Sequence, residues 1–572
     1  MAFDALSAVR LLEPPGSVST GSDHDRGTTI RELSEATRSA LDLDRLIDAI
    51  IRRAVGRGHR EGERSGRLHR ILHSLPADPR IIAYRAAVIA DLRHSPDLAA
   101  ALEREVTALQ RSGGALYAYE DELLEAIDRL SELETFVDRV TGLRTALMRY
   151  REALESDGLR SLLDALDRTV ADERFSAMAT ELPRLRKGLG GRRSVTLGIN
   201  LDDRLRPQSA TLLAVHNHEF RKPSSLQRLL GTILSSDGGH PLHTNDIPES
   251  LRSSSGSSAP LMPLFQDLRQ ILRSIARPVA RALQTYSAVH TNTLSRIADE
   301  LALVLGVVSF AEALETQGYP MEAPEIDVPE IDATHGAADP ARFRGAFEGL
   351  YPPLIAVNGA DAVANDFSLD EADGLVILTG PNSGGKTTFV RALAQAVFLA
   401  QQGFPVPARR ASLAIVPALH SLFAASDEPA EPGATGRLER ELRDLSGILE
   451  SDPPGGVFVF NEAFSSTGSD DAIDIAKTVI RGLVARGATV IFVTHLHSLA
   501  HHADEIQAAL EGHRVVNLVA EAQEGVPTFR ILRAKPEGKS HAVRLVKQYG
   551  LDYESIIARN GDNTHGGPHD HS

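Results

Sequence analysis

Residues 374–402 read GLVILTGPNSGGKTTFVRALAQAVFLAQQ. Leu375 to Thr379 (LVILT) has the length and apolar character of a buried strand. It runs into Gly380-Pro381-Asn382-Ser383-Gly384-Gly385-Lys386-Thr387-Thr388, which fits GxxxxGK[ST], and then into a helical pattern from Thr387 to Gln402. Strand, glycine loop and helix in that order predict a P-loop. The glycines let successive backbone N–H groups turn inward around phosphates at a helix N-terminus. Lys386 is expected to bridge the β- and γ-phosphate oxygens, and the Thr387 hydroxyl to ligate Mg²⁺.

Such a site needs a second strand that ends in acids. Val457 to Glu462 (VFVFNE) follows the Pro453–Gly456 turn and places Asn461 and Glu462 at a strand's C-terminal edge, where open α/β sheets bind ligands. The usual pair at this position is Asp-Glu. Asn461 can accept from a magnesium-bound water but carries no charge, so metal affinity is expected to fall. Glu462 is the candidate that polarises the attacking water. Thr489 to Thr494 (TVIFVT) reads as a third buried strand, and His495, directly after it, is placed to sense a γ-phosphate.

Outward from this core, 572 residues imply several domains, and a 42 % hydrophobic fraction fits a globular chain with a sizeable core. The formal charge of −16 excludes a uniformly basic nucleic-acid coat. The absence of cysteine excludes disulfides, zinc ribbons, iron–sulfur clusters and thiol nucleophiles. The longest apolar run, Leu301 to Ala311, is too short to span a bilayer, and no basic leader opens the chain, so a cytoplasmic protein is the default expectation.

The expected organisation is a flexible segment over 1–27, then a helical body over 28–189. In that body Leu123, Ile127, Leu130, Leu133, Val137, Val140, Leu143 and Leu147 form one apolar stripe. A β-containing insertion with a Ser-rich loop follows over 190–258, then a second helical part with a Pro/Glu-rich connector over 259–332. The P-loop domain is expected over 333–559, and a polar, His-containing tail over 560–572. The fold class is thus multidomain α and α/β. Between Pro183 and Leu230 stand Arg184, Arg186, Lys187, Arg192, Arg193, Arg204, Arg206, Arg221, Lys222 and Arg228 against only three acids. This local inversion of charge suits nucleic-acid phosphates, whose neutralisation releases counterions; a solvated surface is the alternative.

Together these motifs resemble the ATPase domain of the MutS family, the mismatch-recognition proteins of the ABC ATPase class. TGPNSGGKTTFVRALAQAVFLAQQGFPVPA is similar to that family's P-loop and following helix. VANDFSL is similar to the segment before it, which puts Asn365 and Phe367 near the adenine site. Gly436-Arg-Leu-Glu-Arg-Glu441-Leu442 occupies the place of the signature loop, with Gly436, Leu438 and Glu441 kept and its Ser and Thr not kept. NEAFSSTGSDDA sits on DEIGRGTSTxDG, aligning Thr467 and Asp471, and THLHSL sits on THxHEL. RAKPEGKSHAVRLVKQYGLDYESIIAR resembles the closing segment.

The resemblance implies a homodimer with two ATPs between subunits, in which Gly436 and Glu441 act in trans on the partner's nucleotide. It also implies that the helical body and insertion are a lever and a DNA-gripping clamp, so that ATP binding and hydrolysis drive clamping of duplex, mismatched or branched DNA in repair or recombination. The family's Phe-x-Glu wedge is expected to be missing, because the chain opens in helices and its one such triplet is Phe310-Ala311-Glu312. Two other readings stay open. One is a nucleotide-gated scaffold with little turnover, motivated by Asn461 and the altered signature. The other is a MutS-like ATPase acting on structured RNA or ribosomes.

Overall fold

A computed structural model describes residues 2–15, 30–55, 61–112, 122–190, 194–201, 207–216, 282–283, 291–327, 342–424, 436–451, 455–467, 469–495, 502–510, 512–523, 526–535, 549, 551–552 and 554–556. Its helices are α1 (Ala2–Ala8), α2 (Glu35–Ala40), α3 (Leu43–Val55), α4 (Glu61–Leu72), α5 (Pro79–His94), α6 (Pro96–Ser112), α7 (Glu122–Met148), α8 (Asp157–Ala171), α9 (Glu173–Gly190), α10 (Thr291–Glu315), α11 (Pro353–Val357), α12 (Lys386–Gln401), α13 (Arg437–Ser451), α14 (Ser469–Ala485) and α15 (Ala503–Ala509). The strands are β1 (Ile30–Glu32), β2 (Ser74–Pro76), β3 (Ser194–Leu201), β4 (Pro207–His216), β5 (Glu325–Asp327), β6 (Gly345–Leu350), β7 (Asn365–Leu369), β8 (Asp373–Thr379), β9 (Arg410–Ala414), β10 (Leu419–Phe423), β11 (Val457–Asn461), β12 (Thr489–Val493), β13 (Arg514–Gln523) and β14 (Val526–Arg533). The chain divides into two compact units: Met1–Ala8, Ala108–Arg149 and Leu163–Arg296 in the first, Val9–Thr107, Tyr150–Leu162 and Ile297–Ser572 in the second. No described helix is long and apolar enough to cross a membrane.

In the first unit the stripe on α7 buries Leu130, Leu133, Val140, Leu143 and Leu147, as the three–four spacing predicts. At the middle position Phe136, not Val137, is the fully covered residue, and its ring meets Phe175 of α9 edge-on at 6.4 Å. Leu123 and Ile127 have side chains outside the described set. The two β-like runs after Gly190 form one antiparallel hairpin, β3 with β4, in which Ser194 faces His216.

The second unit is built on a six-stranded sheet in the order β10-β11-β12-β8-β13-β14, parallel except for the antiparallel edge strand β14. Every residue of β8 is buried, as a strand covered on both faces must be. Phe458, Phe460, Phe464, Phe492, Ile480 and Val484 belong to the core packed against this sheet. A four-stranded sheet, β5-β9-β6-β7, completes the unit.

Four sequence expectations need correction. Residues 1–27 are not flexible where described: residues 2–8 are helical, Leu11 and Leu12 are buried, and the Leu11 N–H donates to the Glu300 carboxylate at 2.6 Å. The body over 28–189 is not helical throughout, because β1 and β2 pair within it. The Pro/Glu-rich connector carries β5, which pairs with β9, while Glu322 bridges to Val406. Residues 9–107, finally, share a compact unit with the P-loop sheet instead of forming a body apart from it.

The reason for that last difference lies on α12. This helix is apolar on nearly all sides and therefore needs cover all round. Its few polar side chains reach backbone carbonyls of the preceding helical block: Arg391 Nε to Ala40 O at 2.8 Å, Gln395 Nε2 to Leu41 O at 2.9 Å, Gln401 Nε2 to Pro76 O at 2.9 Å. The buried Arg85 guanidinium closes the far end, donating to Gln402 Oε1 at 2.5 Å and to Leu12 O at 2.8 Å. Burial lowers its pKa to about 10, which leaves it charged at neutral pH.

Candidate nucleotide site

β8 delivers the chain into the glycine loop at Gly380, whose φ of +132° only glycine adopts readily. A Cβ there would stand 2.8 Å from Ala520 Cβ and 3.0 Å from its backbone on β13, so the loop is laid directly on the neighbouring strand. Gly385, at φ +85°, is the N-cap of α12 and provides no side-chain cap. The first-turn N–H groups of α12 are thus left for an anion, with the helix dipole adding its positive end.

Lys386 is buried, and its ammonium donates to Gly380 O and Pro381 O, each at 2.9 Å. Burial lowers its pKa, while the Glu462 charge acts in the opposite direction. Beside it, Thr387 Oγ1 donates to Asn461 Oδ1 at 3.2 Å. These two neutral oxygens fit a magnesium site whose charge is balanced mainly by phosphates.

Because β11, β12 and β8 are adjacent and parallel, their C-terminal ends line up. Thr494 N–H bonds to Leu378 O at 3.0 Å, and Glu462 N–H to Val493 O at 2.9 Å. Glu462 stands at φ +57°, which turns its carboxylate back over the strand ends. Its Oε2 pairs with His495 Nδ1 and accepts the His495 backbone N–H at 3.3 Å. The six-stranded order therefore brings together Lys386, Thr387, Asn461, Glu462 and His495, all read from sequence.

Other expectations fare differently. Asn365 and Phe367 are both engaged in contacts within the fold. Asn365 Oδ1 accepts from Ile531 N at 2.7 Å and its amide donates to Phe529 O at 3.2 Å; Phe367 is buried edge-on against Phe389. The aromatic that borders the loop is Phe529 on β14, at φ +59° and 48 % exposed, with Cδ1 3.1 Å from where a Gly385 Cβ would lie. Nothing in PTFRIL distinguishes it as a sequence. A half-exposed ring beside a phosphate loop can stack on a base.

Glu441, expected in trans, is buried and accepts the Phe464 N–H of its own chain at 2.8 Å. Gly436 is exposed with open space around it, and Asp471 is exposed in the first turn of α14. Asn382 and Ser383 are exposed on the loop, and Thr388 is half-buried in the first turn of α12.

Of the basic cluster, Arg184 and Lys187 are exposed near the end of α9. Arg186 instead holds Glu134 (Nε to Oε2, 2.9 Å) and Ser131 (2.9 Å) on α7, which raises its pKa and satisfies its charge internally. Arg192, Arg193, Arg204, Arg206, Arg221, Lys222 and Arg228 lie outside the described residues.

Comparison with known proteins adds two family matches: MutS domain V over residues 376–564, and the MutS2 N-terminal domain over residues 77–317. A DNA mismatch repair protein MutS from Caldanaerobacter subterraneus subsp. tengcongensis is 29 % identical over 269 residues, covering 46 % of this chain and 28 % of that protein. DNA mismatch repair protein MutS 2 from Halobacterium salinarum is 31 % identical over 213 residues, covering 37 % and 24 %. A MutS from Granulibacter bethesdensis is 39 % identical over 143 residues, covering 25 % and 15 %. The chain thus spans about a quarter of the length of the first two curated relatives.

Proposed function

The chain belongs to the MutS family, and on that premise we propose that it is a Mg²⁺-dependent ATPase that couples nucleotide state to the gripping of DNA. The observation that carries the reading is the row of Lys386, Thr387–Asn461 and Glu462–His495 along three adjacent strand ends.

In hydrolysis Lys386 exchanges its two carbonyl partners for β- and γ-phosphate oxygens, and the open N–H groups of α12 hold the remaining charge. Thr387 Oγ1 and Asn461 Oδ1 are the groups that would hold magnesium, which when bound neutralises charge building on the phosphates. Glu462 orients and polarises the water that attacks the γ-phosphorus. His495 fixes the Glu462 carboxylate and is placed to sense whether the γ-phosphate is present. Phe529 stacks on the base. Gly436 and Asp471, both exposed, are the contacts offered across a homodimer.

DNA is the proposed partner because the relatives are named mismatch repair proteins and because Arg184 and Lys187 are exposed cations near the end of α9. Phosphate-driven binding falls steeply with salt, by a log–log slope of about −0.9 per phosphate neutralised. The test is ATP turnover by purified protein, alone and with homoduplex, mismatched duplex, four-way junction or structured RNA. Stimulation by a DNA ligand supports the reading; stimulation by structured RNA alone replaces DNA as the partner.

A second reading, a nucleotide-gated switch with little turnover, is favoured by Asn461, since a neutral amide stands where a carboxylate would hold the metal. Asn461→Asp checks it. One added charge about 4 Å from a divalent ion is large enough to lower the Mg²⁺ concentration for half-maximal turnover by about tenfold. If turnover stays negligible in both proteins while ATP still binds, the switch reading replaces the ATPase.

A further inference from the structure

The segment after β11 holds two non-glycine residues in the left-handed region, Glu462 at φ +57° and Phe464 at φ +63°. Such a conformation is disfavoured for any residue with a side chain and persists only where its surroundings fix it. Three supports are visible. Glu462 N–H bonds to Val493 O at 2.9 Å. The Phe464 ring is fully buried beside Phe460, with centroids 6.0 Å apart. The Phe464 N–H donates to Glu441 Oε2 at 2.8 Å.

The third support is the unusual one. On α13, Glu439, Arg440, Leu442 and Arg443 are exposed, yet Glu441 is only 4 % exposed. Its Oε1 makes no hydrogen bond among the described residues and faces Arg437 Nε, one turn back, at 3.5 Å. Taking a carboxylate out of water is costly unless its partners compensate. Here the carboxylate's one strong hydrogen bond goes to the backbone two residues beyond Glu462.

We propose that Glu441 is a positioning residue for hydrolysis: by accepting the Phe464 N–H it fixes the left-handed turn that aims the Glu462 carboxylate. It acts in cis, touching neither nucleotide nor water. The inference rests on the ATPase reading above. It also joins two parts of that reading, because α13 begins directly after Gly436, the residue offered to a second copy. A shift of α13 on docking is passed to Glu462 through one hydrogen bond.

Two conservative variants separate reach from charge. Glu441→Gln keeps an oxygen at the same distance and loses the charge; Glu441→Asp keeps the charge and falls one methylene short of Phe464 N. The measurements are kcat and KM for ATP, the Kd of a non-hydrolysable ATP analogue, and the thermal transition of each protein. The Gln variant is expected to stay within about threefold of wild-type kcat. The Asp variant is expected to lose about tenfold or more in kcat, with KM and Kd within about twofold, since misplacing a reacting group by an ångström can cost as much as ~10²-fold.

Wild-type kcat in the Asp variant, or an equal loss in the Gln variant, overturns the proposal. So does a kcat that falls only together with analogue binding or the thermal transition, which would make Glu441 structural. A wild-type protein that binds the analogue but turns over no ATP overturns the ATPase reading and this inference with it, and that result is read before any variant is compared.

Discussion

Glu462→Gln lowers kcat for ATP hydrolysis by about 10²-fold or more and leaves ATP binding near the wild-type level. Positioned general bases contribute about 10²–10⁴-fold, and Glu462 is the carboxylate at the strand ends beside Lys386 and Thr387. The amide is nearly isosteric, so the φ of +57° and the backbone bond to Val493 O persist. Its oxygen can still accept from the His495 N–H, which keeps the local geometry. Only the negative charge that attracts a proton from water is lost. Single-turnover hydrolysis and the binding of a fluorescent ATP analogue, measured side by side, check the result: a stalled, ATP-bound protein is expected. Turnover unchanged in the variant would mean that the water is activated elsewhere and would remove Glu462 from its role.

That the site could be read before the fold follows from how its residues are held. β8, β11 and β12 are short and buried, each with a glycine within two residues of one end, and the expected strands agree with the observed ones to within two residues at either end. Residues at the ends of such strands are placed by the sheet itself, so Lys386, Asn461, Glu462 and His495 could be located from local pattern. Asn365 and Phe367 are different: their positions come from the four-stranded sheet and from β14, which approaches from more than 160 residues away. Phe529 carries no local signature, and the motif that marks Glu441 does not reveal its partner, because tertiary contacts decide which way both side chains face.

The membership of residues 9–107 was hidden for the same reason. In sequence Gln395, Gln401 and Arg391 look like polar relief on a helix, and polar residues ordinarily mark a solvated face. Their partners are the carbonyls of Leu41, Pro76 and Ala40, more than 300 residues away. Buried amides with backbone partners are satisfied without leaving a trace in the local pattern.

Lys386→Met carries the second large effect. The variant keeps the buried stem and removes the charge, so packing is nearly retained, whereas Lys386→Ala would also leave a cavity. Hydrogen bonds to charged groups contribute about 1.5–3 kcal/mol, so the loss of one corresponds to about 10–150-fold weaker ATP binding. The two carbonyls that Lys386 now occupies, Gly380 O and Pro381 O, lose a donor as well, which loosens the loop before any ligand arrives. Calorimetric titration with ATP and the shift of the thermal transition on adding nucleotide report the same loss independently, because a ligand stabilises only the state it binds. The pH dependence supplies a third arm. Burial depresses the Lys386 pKa, and phosphate is held by the protonated form, so wild-type affinity is present below that pKa and is lost as pH rises through it. The Met variant has no such alkaline limb. Wild-type affinity in Lys386→Met, or an identical alkaline limb in both proteins, would show that the phosphate is held by the backbone of the loop alone and that Lys386 serves only to close it.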